Sequence, residues 1–414
     1  MNLQINGERL TTWLADLAKI GATASGGVTR FALTEGDRQA RQWLIERANE
    51  HGLAHRVDAA GNLFIHQPLS HGRPIILAGS HVDTVPEGGR YDGALGVLAA
   101  LECLVRLQET NARDMRHSLE VAVWTEEEGS RFKGGLVGSR AFIGELMPEE
   151  LMDLDSHGVS LADALREWGL SPDLIGNLPE QRGELAGYFE LHVEQGGVLE
   201  TRQEEIGVVS GIVGIRRFDV TVRGQANHAG TTPMALRHDA LVGVAEMVKL
   251  VPERLQSGQF PQAVATVGKL QVFPGGVNVV PGRVEFTLEV RDLESKVMDQ
   301  VAESLLAEFE QIATRRGLSL RWQQTADVIP APLHPRMRDA VRQSAANLGY
   351  RFLDMPSGAG HDAQHLAHVC PTGMIFVPSR GGISHSPDEF TSEADCIRGA
   401  NVLLNAILLA DQME

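Results

Sequence analysis

Apolar positions along this chain switch between two periods. Leu10, Trp13, Leu14 and Leu17 recur at helical spacing and predict a helix over 8–20; 37–52 reads as a second, with Gly52 as its stop signal. Short continuous apolar runs then take over. Ile75-Ile76-Leu77-Ala78-Gly79, 118–125 and 188–193 are too short for helices and read as buried strands, and 57–66 reads as a strand pair around Gly61-Asn62. With a helix predicted over 93–108, strands alternate with helices in this half, which predicts an α/β sheet covered on both faces. A polar stretch at 153–183, rich in Gly and Pro and poor in helical signal, reads as a surface excursion. Near Gly211 the pattern changes: 214–224 alternates like a half-exposed strand through Ile215, Phe218, Val220 and Val222. Helices over 236–250 and 294–316 with strands over 263–272, 283–291 and 318–324 predict an antiparallel sheet carrying two helices, an α+β domain inserted at 212–330. The α/β pattern resumes with a helix over 336–349, a strand over 373–377 and a final helix over 392–410. The first domain, 1–211 with 331–414, is therefore expected to be a mixed-sheet α/β unit built from both ends of the chain.

A length of 414 residues fits two domains better than one core. Apolar content of 43% and charged content of 22% are those of an ordinary globular protein. A formal net charge of −17 argues against nucleic acid as a partner. No apolar run approaches the roughly 20 residues that span a bilayer, and the first residues lack a signal-peptide pattern. Cys103, Cys370 and Cys396 are too scattered for a disulfide framework or a thiolate zinc site, so a cytoplasmic protein without membrane partners is expected.

Histidines and acids fall at the predicted strand ends. His81 and Asp83 close the run 75–81 two positions apart, on one side of an extended chain, so that Asp83 can take the second ring N–H of a metal-binding His81. Asp92 precedes the glycine that opens the helix over 93–108; Glu126-Glu127-Glu128 follows 118–125; His192 ends 188–193; His385 lies in a glycine-rich loop. In open α/β sheets ligands sit at the carboxyl ends of strands. His81, Asp92, Glu127, His192 and His385 are thus candidate ligands, with Asp92 able to bridge two ions. Nitrogen and carboxylate donors without thiolate suit Zn, Mn, Co or Ni alike. Adjacent strand-end carboxylates face different ways, so one of Glu126 and Glu127 can bind metal while the other takes a proton from water.

The series Gly79-Ser80-His81-Val82-Asp83-Thr84, Asp92-Gly93, Glu126-Glu127-Glu128-Gly129-Ser130 and His385 resembles the dinuclear metallohydrolases of M20 type. His192-Val193-Glu194-Gln195-Gly196 and Asn227-His228-Ala229-Gly230-Thr231-Thr232-Pro233-Met234 are similar to its amidohydrolase branch of N-carbamoyl-L-amino acid hydrolases, allantoate amidohydrolases and β-ureidopropionases. The resemblance runs over almost the whole chain. It implies two divalent ions per subunit, one on His81 and His192 and one on Glu127 and His385, bridged by Asp92. It implies Glu126 as general base, Asp83 as orienter of His81, and a lid and dimerisation role for the inserted domain. From that domain His228 would reach the active site of a second copy and polarise the scissile carbonyl. Asn278 and Arg291 would bind the substrate carboxylate, with Gln195, Arg216 and Gly360 as further substrate contacts. The implied reaction is cleavage of the carbamoyl C–N bond of an N-carbamoyl-L-amino acid to amino acid, ammonia and carbon dioxide. Allantoate hydrolysis is the alternative, and a dipeptidase, an aminoacylase or an inactive metal-binding protein fits less well. His361 and Asp362 are left without a role.

Overall fold

The computed structural model describes residues 2–68, 72–110 and 115–413. Backbone contacts divide the chain into two compact units, Met1–Ser210 with Leu333–Glu414, and Gly211–Pro332.

In the first unit four parallel strands lie side by side in the order Ser118–Trp124, Ile75–His81, Leu185–Val193 and Thr372–Val377. Antiparallel strands flank them: Leu63–His66 and then Ala54–Val57 beyond the first, Ile206–Ile212 beyond the last. The sheet is therefore mixed, as expected. The four central strands are buried along almost their whole length, which is why their sequences are unbroken apolar runs. Helices Gly7–Leu17, Ala94–Glu109, Pro335–Leu348 and Glu393–Asp411 share one hydrophobic core with these strands. Glycines permit the closest approaches. A Cβ at Gly79 would lie 1.9 Å from the Ala122 carbonyl oxygen of the next strand, and one at Gly96 would lie 2.4 Å from the Leu191 carbonyl oxygen.

The second unit is an antiparallel sheet ordered Leu270–Phe273, Arg283–Asp292, Gly214–Arg223 and Ser319–Val328, with Val264–Thr266 also pairing onto Arg283–Asp292. Helices Ala240–Leu255 and Ser295–Arg315 bury Met247, Val251, Leu305 and Phe309 against Phe218, Val220, Val222, Phe286 and Leu288. The alternation runs as expected with one exception: Ile215 falls on the other face, and Arg216 takes the buried position next to Phe218. The helix expected from 236 begins at Ala240, because the Asp239 carboxylate accepts from the amides of Leu241 and Val242 and caps it there.

The stretch 153–183 is not the helix-poor excursion the sequence suggests. It contains helices Leu161–Glu167 and Leu178–Gln181 joined by the 3₁₀ turn Pro172–Asn177. Leu161, Leu165, Ile175 and Leu178 form a small core with Phe132 and Val137. Elements this short carry too few apolar positions to show a period.

Gly79→Ala is expected to destabilise the first unit by about 3 kcal/mol or more, because backbone oxygen cannot move aside as a side chain can. Urea denaturation followed by circular dichroism checks this, and a wild-type midpoint would contradict it.

Candidate metal centre

Parallel strands end on one edge, and this edge collects the polar residues. His81 is the last residue of Ile75–His81 and is paired in register with Trp124; His192 lies one residue before the end of Leu185–Val193, opposite Phe376. Both imidazoles are 1% exposed. His81 Nδ1 lies 2.9 Å from the Asp83 backbone oxygen, and His192 Nδ1 lies 2.8 Å from the Val193 backbone oxygen. Each carbonyl takes the Nδ1 proton, so each Nε2 is the atom turned toward Asp92, and it becomes a metal ligand once its own proton is displaced. Asp83 thus orients His81 through its main chain; its carboxylate stands 3.8 Å off, where Oδ2 accepts from the Glu128 amide and Oδ1 has no partner.

Asp92 stands where these two Nε2 atoms converge. Its Oδ1 is 3.3 Å from His81 Nε2 and 3.1 Å from His192 Nε2; its Oδ2 is 3.4 Å from His385 Nε2. His385 Nε2 is in turn 3.4 Å from Glu128 Oε2. The site therefore has two halves, His81–His192 and Glu128–His385, with one oxygen of Asp92 in each. Gln195 Nε2 donates to Asp92 Oδ2 at 2.8 Å, Ser384 Oγ donates to the same oxygen, and Gln195 Oε1 is buried without a partner. Gly93 closes the floor: with φ of 63° it caps the helix Ala94–Glu109, and a Cβ there would lie 2.5 Å from His81 Nε2.

The acidic triplet sits one residue out of the expected register. Glu128, not Glu127, faces His385. Glu127 Oε2 lies 3.6 Å from His81 Nε2, at the side of the cluster. Glu126 turns away: its buried Oε1 accepts from the amides of Arg131 and Phe132 at 2.9 and 2.7 Å and holds the loop that follows. The cause is the backbone. The strand ends at Trp124, and Glu126 has φ of 53°, so the alternation of an extended chain no longer applies. Gln195 (58°) and His385 (53°) are also left-handed. Three of the seven left-handed non-glycine residues among the described residues thus fall in this one site.

Electrostatics fit a cation. Burial alone would raise the Asp92 carboxyl, but the imidazoles of His192, His385 and His81 outweigh it and hold it well below its ordinary value. Burial and the charge of Asp92 push Glu128 up to about 7. Burial also raises Glu127 far above the usual range, with His81 opposing and Glu128 adding to the shift. Burial and the charge of Asp83 push Glu126 up to about 8. These carboxylates hold protons because burial, and after it the negative charge crowded among them, disfavours the ionised form, and a dication answers that charge by replacing the protons. Imidazole nitrogens and carboxylate oxygens are suitable donors for it.

Several contributors had no sequence signal. The Glu389 carboxylate accepts from the amides of Tyr91 and Asp92 through Oε1 and from Ser384 through Oε2, so one buried acid fixes the loops that carry Asp92 and His385. The unassigned His361 packs on His192 with ring centroids 4.5 Å apart and hydrogen-bonds Ser357 through Nε2. Glu194, part of the quoted motif, caps a helix by accepting from Val198 and Leu199. Gly360 is an exposed residue of the turn before His361.

The remaining candidates lie in the second unit. His228 pairs with Val279 on a short ladder, and its Nδ1 accepts from the amides of Gly230 and Thr231 at 3.0 and 3.2 Å. The proton of the neutral ring is therefore on the exposed Nε2, which is a donor. Asn278 is held beside it, its carbonyl accepting from the Ala229 amide. Arg291 bonds Glu289 at 2.8 Å on the face of the sheet away from the helices. Arg216, expected as a substrate contact, is 8% exposed and tied to Asp299 and Asp327 at 2.9 and 2.6 Å.

Residues 77–409 match the model of the peptidase family M20/M25/M40. The chain is 41% identical over 404 residues to an N-carbamoyl-L-amino acid amidohydrolase of Geobacillus stearothermophilus, covering 97% of this chain and 98% of the relative. It is 36% identical over 401 residues to an allantoate amidohydrolase of Bacillus subtilis, covering 96% of each. A crystal structure of an amidase of the hydantoinase/carbamoylase family from Burkholderia multivorans superposes with a TM-score of 0.93 at 39% identity over the full length of both chains. The chain belongs to the metal-dependent M20 family and, within it, to the hydantoinase/carbamoylase amidohydrolases.

Proposed function

We propose that this hydrolase cleaves the carbamoyl C–N bond of N-carbamoyl-L-amino acids at a pair of divalent ions. The observation that carries the reading is Asp92, whose two oxygens each face a separate pair of ligand atoms. His81 and His192 would hold one ion, Glu128 and His385 the other, with Asp92 between them. Bound there, two divalent ions lower the pKa of water and draw electron density from the substrate carbonyl.

The chain's own groups do the rest. Glu127, beside the cluster but in neither half, takes the proton of the attacking water and returns it to the departing nitrogen. Glu126 braces the loop that presents it. His228 donates its Nε2 proton to the carbonyl oxygen as negative charge gathers there. Arg291 and Asn278 hold the substrate carboxylate, the guanidinium offering a planar fork matched to it. The carbamoyl group leaves as ammonia and carbon dioxide, with one water consumed. The 41% identity to a carbamoyl-amino acid hydrolase, against 36% to an allantoate hydrolase, supports this substrate class over allantoate. The active species is a homodimer in which His228 serves the site of the second copy. No helix among the described residues is long and apolar enough to cross a membrane. The three buried free cysteines suit a reducing cytoplasm.

Four outcomes follow. Asp92→Ala should retain about two equivalents of divalent metal fewer per chain than wild type, read by elemental analysis after dialysis; equal content would refute the bridging role. With N-carbamoyl-L-amino acids, 3-ureidopropionate and allantoate assayed side by side for ammonia, the first class should turn over fastest. Glu127→Gln should lose about 10²–10⁴-fold in kcat at unchanged metal content. A greater loss in Glu126→Gln would return the base to Glu126. Mixing the separately inactive Glu127→Gln and His228→Ala proteins should restore about a quarter of wild-type activity, since half the dimers then carry one intact composite site. No recovery after subunit exchange would place His228 in its own subunit's site.

A further inference from the structure

A second group of metal-competent side chains lies in the first unit, outside the cluster described above. Glu145 follows helix Val137–Ile143, where Gly144 (φ 87°) turns the chain. His365 lies in helix Asp362–Leu366, and His368 lies three residues on, in the turn that ends it. That spacing places the two rings on one face. Glu145 Oε2 is 2.7 Å from His365 Nδ1, Glu145 Oε1 is 2.7 Å from His368 Nδ1, and the rings stand 6.0 Å apart at 86°. One ligand atom from each of the three residues lies within 4.8 Å of the others.

We propose that Glu145, His365 and His368 form a separate zinc site. Two imidazole nitrogens and one carboxylate oxygen make three of the four ligands of a tetrahedral ion, and a water completes it. The donor set favours zinc over the all-oxygen ions calcium and magnesium. One side of the site is closed and the other open: the His365 side chain is 12% exposed, that of His368 44%. Burial, opposed by Glu145, lowers the pKa of His365 and keeps the ring in the neutral form that ligation requires. The neighbouring cation does not compete, because Arg140 is committed to both oxygens of Glu150 at 2.7 and 2.6 Å.

The position gives the ion a task. Helix Val137–Ile143 follows the loop of Glu126–Glu128, whose carbonyls at Glu126 and Glu127 accept from the amides of Val137 and Leu136. Helix Asp362–Leu366 follows His361, which packs on His192. Zinc here clamps together two segments that each back the Asp92 cluster, one through the loop of Glu126–Glu128 and one through His361. It acts as a structural brace.

The test compares Asp92→Ala with Asp92→Ala/His368→Ala, each dialysed against micromolar zinc chloride and analysed for metal. The expected result is one equivalent per chain fewer in the double variant, and a zinc-induced rise in Tm that only the single variant shows. His368 is exposed, so its removal leaves the fold intact, and Glu145→Gln in the same background gives an independent second reading. Equal zinc content in all three proteins would overturn the proposal, leaving a carboxylate that only hydrogen-bonds two imidazoles. Because each comparison is made without Asp92, the result does not depend on how many ions the main cluster holds.

Discussion

The first unit is organised around a concentration of like charge in a dry place. Asp83, Asp92, Glu126, Glu127 and Glu128 all lie at the carboxyl edge of four buried parallel strands, beside the imidazoles of His81, His192 and His385. Burying so many carboxylates together costs several kcal/mol unless the charge is answered. Part of the answer is visible in the chain. His192, His385 and His81 keep Asp92 ionised, and backbone amides serve Glu126 and Asp83. The rest is answered by protons in the free protein or by cations when they bind, and the crowding makes the exchange favourable.

That arrangement must be held by something other than itself, since the ligands repel. Carbonyls of Asp83 and Val193 fix the two buried rings. Glu389 binds the amides before the helix Ala94–Glu109 and the hydroxyl beside His385, so loops about 300 residues apart in sequence share one anchor. Gly89 is part of the same fit: a Cβ there would lie 2.0 Å from the Glu389 carboxylate. The left-handed backbones of Glu126, Gln195 and His385 are the cost of presenting side chains at angles that strands do not supply.

Much of this was legible in the sequence, for identifiable reasons. Parallel strands buried on both faces give unbroken apolar runs, so Ile75–His81 and Ser118–Trp124 announce themselves, and polar residues that interrupt such runs stand out at their ends. The inserted unit was legible because half-buried strands alternate. Glu389 was not, because an acid in a loop looks like any solvated acid until its amide partners are known. Arg216 was misjudged because a buried arginine satisfied by Asp299 and Asp327 has the same sequence signature as one awaiting a ligand. The short helices of 161–181 escaped because they bury only a few residues each.

The triplet Glu126-Glu127-Glu128 shows most clearly where reading by period stops. Counting alternate faces from the strand assigns one of two neighbours to the metal and the other to the proton, and everything hinges on where the count begins. The count lapses when the strand ends at Trp124 and is reset by a single left-handed residue at Glu126. From there Glu127 and Glu128 both turn toward the cluster, Glu127 to its side near His81 and Glu128 to the half of His385, while Glu126 faces back into the loop. A carboxylate held by two amides is poorly placed to relay a proton; one left at the side of the cluster is well placed. The φ angle of one residue therefore decides which acid of the triplet stands beside the cluster and which is turned back to hold the loop.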